Sequence, residues 1–100
     1  MTGGSSVYVT LYRYTDQGAR AIGNAVELAQ QWQQEAERRG VKVLALYWLQ
    51  GQYDALTILE GSDEDDVMAL LLAIGAEGSL RTETVRGYSI DDLARMLGKL

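Results

Sequence analysis

Residues 7–12 of V7-Y-V-T-L-Y-R-Y14 alternate strictly between aliphatic and aromatic or polar side chains, before Arg13 breaks the aliphatic set. A period of two is the signature of a half-buried strand, with Val7, Val9 and Leu11 on one face and Tyr8, Thr10, Tyr12 and Tyr14 on the other. Asp16, Gln17 and Gly18 end this run. A helical stretch follows, in which Asn24 can cap backbone amides while Glu27 reciprocates three residues on. That helix is expected to reach about residue 39, where Gly40 offers a left-handed terminator and Arg38 and Arg39 favour the negative end of the dipole. Its expected core stripe is Ile22, Val26, Ala29, Trp32 and Ala36. Two β-rich runs, 41–49 and 53–60, flank Gly51 and Gln52 and predict a hairpin. Ser62 and Ser89 precede acidic residues and then apolar runs, which predicts helices over 63–74 and 90–97, with a strand over 80–88 between them. The order βαββαβ plus a closing helix is the α+β, ferredoxin-like pattern: a four-stranded antiparallel sheet with helices on one face and the other face left for a partner.

One hundred residues, 47% hydrophobic and 23% charged, fit one domain near the modal size. Residues 1–6, M1-T-G-G-S-S6, are expected to be a flexible stub and residues 7–100 the folded unit. The net charge is −5, and Lys42 and Lys99 are the only lysines among nine basic residues. Phosphate neutralisation needs a clustered basic face, so no nucleic-acid partner is expected. No apolar run approaches the ~20 residues needed to cross a bilayer, and the start lacks the regions of a signal peptide, so a cytoplasmic location without membrane contact is expected. His and Cys are absent, which removes imidazole bases, thiolate nucleophiles, zinc sites of the N/S type and His-ligated haem. No metal and no cofactor are expected. The acidic run D63-E-D-D66 lacks the spaced loop of a calcium site and suits a helix N-terminus instead. Proline is also absent, where usage of about 5% leads one to expect about five.

G51-Q-Y-D54 and G78-S-L-R-T-E-T84, together with Y12-R-Y-T-D-Q-G18, Y47-W48 and the closing helix, resemble the GYD family over residues 7–100. The resemblance implies a ferredoxin-like domain of the dimeric αβ barrel group, whose members stack two sheet faces around a central cavity that holds small organic molecules. It implies no particular reaction. Where the family commonly has a proline and a charged residue near the start of the first helix, this chain has Val26 and Leu28. That departure, the missing prolines and the Gly-Ser start lead us to expect an engineered member of the family.

The tyrosine face, Tyr8, Thr10, Tyr12 and Tyr14, is the expected subunit interface, since aromatic residues pack well across strands. In a cavity between two sheets, Tyr12, Trp48 and Tyr53 are the expected lining. Were the chain an enzyme, Asp54 would be the base, Tyr53 or Tyr12 the proton donor and Arg81 the anchor for an anion. The favoured reading of Asp54 is structural, holding the turn, as aspartates readily do, or pairing an arginine. Arg13 and Arg86 are the other strand-borne guanidinium groups able to grip a carboxylate. Residues 67–74 contain no polar side chain, and Met68 and Leu72 fall beside the stripe of Val67, Leu70, Leu71 and Ile74, so a second protein contact is expected there. These features favour a non-catalytic oligomerising domain, a self-assembling building block whose partner is itself and, by design, a second chain. The alternative is a small-molecule-binding protein or cofactor-independent enzyme using the cavity between sheets.

Overall fold

The computed structural model describes residues 4–100, so Met1 to Gly3 of the expected stub lie outside the described residues. In chain order the elements are β1 (Ser6–Tyr14), α1 (Asp16–Arg20), a 3-10 turn (Ile22–Asn24), α2 (Ala25–Arg38), β2 (Lys42–Trp48), β3 (Ala55–Gly61), α3 (Glu64–Glu77), β4 (Leu80–Gly87) and α4 (Ile90–Leu97). The strands form one antiparallel sheet in the order β2-β3-β1-β4, the ferredoxin-like arrangement. The sheet has two edges, β2 and β4, and is open. This corrects the barrel expectation: the strands do not close on themselves. The register of β2 against β3 shifts between Val43 and Ala45, which leaves Leu44 without a partner.

The two faces of β1 are the reverse of those expected. Tyr8, Thr10 and Tyr12 are buried, Thr10 fully, and share the core with Ala36 of α2 and Val67, Leu70, Leu71 and Ile74 of α3. The Tyr12 ring fits on the helix side because its register partner on β3 is the small Ala55, while Tyr8 packs beside Leu59 of the core. The hydroxyls brought inside are satisfied there, Tyr12 with Thr57 at 2.8 Å and Thr10 with Thr84 at 2.9 Å, which removes the penalty on burying them. Val7, Val9 and Leu11 therefore point to the uncovered face, beside Leu56 and Ile58 of β3. Tyr8 and Tyr12, two of the tyrosines expected at a subunit interface, are core residues of a single chain, and Tyr14 is half-buried.

Helix boundaries follow capping chemistry, with two corrections. Asn24 makes no side-chain cap bond, and a 3-10 turn that holds Ile22 leads into α2. Ala25, Leu28, Ala29, Trp32 and Ala36 face inward, while Ile22 and Val26 are exposed. Asp63 rather than Ser62 caps α3, accepting from the Asp65 amide, and Glu64, Asp65 and Asp66 occupy its positive end. Gly78, at φ 102°, ends α3 in the left-handed conformation that a side chain resists. Ser89 caps α4 with a complete capping box to Asp92. The shortest dimension of the molecule, 18 Å, matches one sheet under a single helix layer.

Candidate functional site

The corner between β2 and β3 carries the carboxylate of the hairpin, and its bonds are structural. Gly51, at φ 111°, turns the chain there. Asp54 donates its amide to the Tyr12 carbonyl at 2.8 Å, and its carbonyl accepts the Leu49 amide at 2.9 Å. Its carboxylate accepts the Tyr14 amide at 2.8 Å, so one residue ties the hairpin corner to the end of β1. Tyr53 turns away, donating its hydroxyl to Glu83 at 2.8 Å, with the Arg13 guanidinium over its ring at 4.8 Å. The bond to the Glu83 carboxylate holds the Tyr53 phenol above its ordinary pKa. Arg81 donates to the carbonyls of Leu80 and Gly75 at 3.2 and 3.4 Å. The structure thus gives Asp54, Tyr53 and Arg81 three separate sets of partners. Arg86 is engaged too, by Ser6, the carbonyls of Val7 and Gly87, and the rings of Tyr8 and Tyr88.

Tyr12 and Trp48 do meet around a cavity, but within one chain, between the sheet and α2. It measures about 70 Å³ and is lined mainly by apolar groups, among them Trp32, Leu46 and Leu70. Burial raises the Tyr12 pKa, outweighing the hydrogen bond with Thr57, so its phenol stays neutral. Trp48 Nε1 donates to the Tyr14 hydroxyl at 2.9 Å at the edge of this cavity. Tyr53, the third expected lining residue, is not part of it.

A larger concavity, about 450 Å³, runs between α3 and β4. Val67 and Leu71 are its buried floor, Met68 and Leu72 its apolar rim, and Tyr8, Thr82, Thr84 and Arg86 its sheet side. Met68 is 54% exposed and Leu72 67%, as befits side chains beside the core stripe. The apolar 67–74 segment is therefore divided: Val67, Leu70, Leu71 and Ile74 fill the core, and Met68 and Leu72 are outside it. Sequence reasoning missed the aliphatic patch of Val9, Leu11, Leu56 and Ile58 on the open sheet face. The signal was present in β3, where apolar residues occupy both alternating sets, Ala55 and Leu59 inward and Leu56 and Ile58 outward.

Among the described residues there is no group of three or more acidic side chains placed to hold a metal ion, and no helix is long and apolar enough to cross a membrane.

The GYD domain model matches residues 8–97. A protein of Thermus thermophilus, named glutamine synthetase and cystathionine beta-lyase binding protein, is 32% identical over 91 residues, spanning 90% of this chain and 96% of its own length. Among solved structures, the crystal structure of MtbAldR (Rv2779c) superimposes with a TM-score of 0.61 at 14% identity; it covers 84% of this chain, which spans about half, 52%, of that structure. That likeness is one of fold. The family match along nearly the whole chain overturns the expectation of an engineered sequence: the pattern from β1 to α4 is that of the family, and the missing prolines need no designer.

Proposed function

The chain belongs to the GYD domain family, and on that premise we propose that it is a protein-binding module that seats an apolar segment of a partner protein in the groove between α3 and β4. The observation that carries this reading is the exposure of Met68 and Leu72 over that groove, on a helix whose residues 67–74 offer no polar side chain to water. Apolar side chains grouped around a concavity are the usual form of a protein contact, and methionine adapts its shape to varied partners. The name of the Thermus relative supports the reading, since that protein is described by the enzymes it binds. No convergent acid, base and anion anchor competes with it, because Asp54, Tyr53 and Arg81 each serve a separate local bond.

The test uses purified glutamine synthetase and cystathionine beta-lyase, the two enzymes in the relative's name, as immobilised probes. We expect binding of at least one of them, weakened tenfold or more by Met68→Glu combined with Leu72→Glu. Both side chains lie outside the core, so the double variant should keep its fold, checked by circular dichroism. No binding of either enzyme, or binding that the folded double variant retains in full, would overturn the proposal.

A further inference from the structure

The strand that walls the α3 groove is also the last strand of the sheet, and its backbone offers a row of bonds to a partner. Strand β4 pairs with β1 on one side only. The Thr15 amide donates to the Ser79 carbonyl at 3.0 Å, one step beyond the Tyr14–Leu80 pair, so the odd-numbered residues of β1 and β4 bond to each other. The Tyr12 carbonyl agrees with this, since it accepts the Asp54 amide on the β3 side. Thr82, Thr84 and Arg86 therefore turn their amides and carbonyls outward, away from β1. Arg81 closes the near end of this edge, its guanidinium donating to the carbonyls of Leu80 and Gly75. The open stretch runs from Thr82 to Arg86, and α4 makes no substantial packing contact with it.

The side chains of Thr82, Thr84 and Arg86 line the α3 groove, so a segment seated in the groove lies along the unpaired edge. A helix placed there would strip water from the outward amides and carbonyls and return nothing, because its own backbone bonds are internal. An extended segment would pair with them and send alternate side chains onto Met68, Leu71 and Leu72. The other edge is unsuited to this: β2 carries the register shift at Leu44 and the charged Lys42, whereas β4 runs against β1 without a shift from Leu80 to Gly87.

Charge narrows the occupant further. A residue opposite Glu83 would fall between two bonded pairs, where cross-strand side chains approach most closely. The Glu83 carboxylate accepts the Tyr53 hydroxyl and has no ion-pair partner among the described residues. Arg81 is turned to the edge carbonyls, and Arg13 lies over the Tyr53 ring. A basic residue opposite Glu83 would supply the missing partner. A second copy of β4 fits less well: antiparallel self-pairing that sets Arg81 against Glu83 puts Thr82 against Thr82, with no aliphatic side chain over the centre of the groove. We propose that the occupant is an extended segment of a partner protein that adds a strand, antiparallel, to β4, with aliphatic residues at alternate positions and a basic residue between two of them. The proposal rests on the groove reading above and states how the partner is held.

The probe is the peptide acetyl-Ser-Ile-Thr-Ile-Lys-Ile-Ser-amide, whose isoleucines would lie opposite Arg86, Thr84 and Thr82 and whose lysine would lie opposite Glu83. At millimolar peptide, amide exchange at Thr82, Thr84 and Arg86 should slow by about tenfold or more in NMR spectra, while Arg81, Glu83 and Val85, already bonded to β1, change little. Methylating the backbone nitrogen of the central isoleucine keeps every side chain but removes a strand bond, and should weaken binding by about tenfold. Glu83→Lys should reverse the preference between lysine and glutamate at the matching peptide position. No peptide binding, protection without the alternation, or equal binding of the N-methyl peptide would overturn the proposal. The immobilised enzyme probes separate the strand from the groove: Thr82→Pro removes one outward amide and leaves Met68 and Leu72 in place. Once shown by circular dichroism to be folded, that variant should bind the enzymes more weakly. Full binding by Thr82→Pro, with binding lost in Met68→Glu combined with Leu72→Glu, would leave the groove reading standing and defeat the added strand. Should Thr82→Pro fail to fold, the peptide arm decides alone.

Discussion

At the scale of single residues, this chain spends its polar groups on holding backbone in place. The Tyr12 hydroxyl and Thr57 satisfy one another inside the core. Tyr12→Phe leaves the Thr57 oxygen without that partner, and should lower the unfolding free energy by about 1–2 kcal/mol in a urea titration. Tyr12 also makes the fold sensitive to alkali. Its folded pKa lies above the ordinary value of 10.0, because burial disfavours the phenolate. The raised value means that its support is fully present below the unfolded pKa and is lost as pH rises through the folded one. Wild type should therefore lose stability above about pH 10 more steeply than Tyr12→Phe, measured as urea midpoints across that range. Asp54 gives a second residue-scale prediction. Asp54→Ala strips the Tyr14 amide of its acceptor and should cost about 1–3 kcal/mol, whereas Asp54→Asn retains an oxygen and should cost less. A turn-holding role for Asp54 was readable from its place beside Gly51, because such bonds are local. The partners of Tyr53 and Arg81 were not readable, since Glu83 is 30 residues from Tyr53 in sequence and only the folded register brings it near.

Elements were legible where each carried its own signal. Alternation in β1, the serine cap of α4 and the glycine after α2 are all local, and the order βαββαβ followed from them. Which face of β1 turns inward was not local. It depends on long-range partners: Ala55 across the sheet leaves room for the Tyr12 ring, and Thr57 accommodates its hydroxyl. Ile22 escaped for a similar reason, as the 3-10 turn at Ile22–Asn24 takes it off the α2 stripe, whose Ala29, Trp32 and Ala36 face inward as expected. Helix α1 depends on close approach: a Cβ on Gly18 would lie 2.2 Å from the Ser79 carbonyl and 2.9 Å from the Tyr14 ring. Gly18→Ala should thus cost about 1–3 kcal/mol through displaced backbone, read from the thermal midpoint. For α4, the Asp92 carboxylate accepts the Ser89 amide, which lowers its pKa from the ordinary 3.8. A depressed carboxyl supports the helix above the unfolded pKa and loses that support as pH falls through the folded value. Amides of α4 should accordingly lose exchange protection on acidification below about pH 4, and Asp92→Asn should flatten that dependence in an NMR titration.

The whole molecule is a single sheet with one covered face, and its stability should therefore depend on what meets the other. The register shift around Leu44 bears on whether such a sheet can grow. Strand β2 is an edge, and a straight edge is a template onto which further strands add without limit, the route to fibrils. An extra residue bends the strand and breaks its outward row of amides and carbonyls, and the charged Lys42 sits two positions before it. Growth by edge addition is blocked at β2, so the chain can expose an aliphatic sheet face to a partner without becoming the seed of an amyloid.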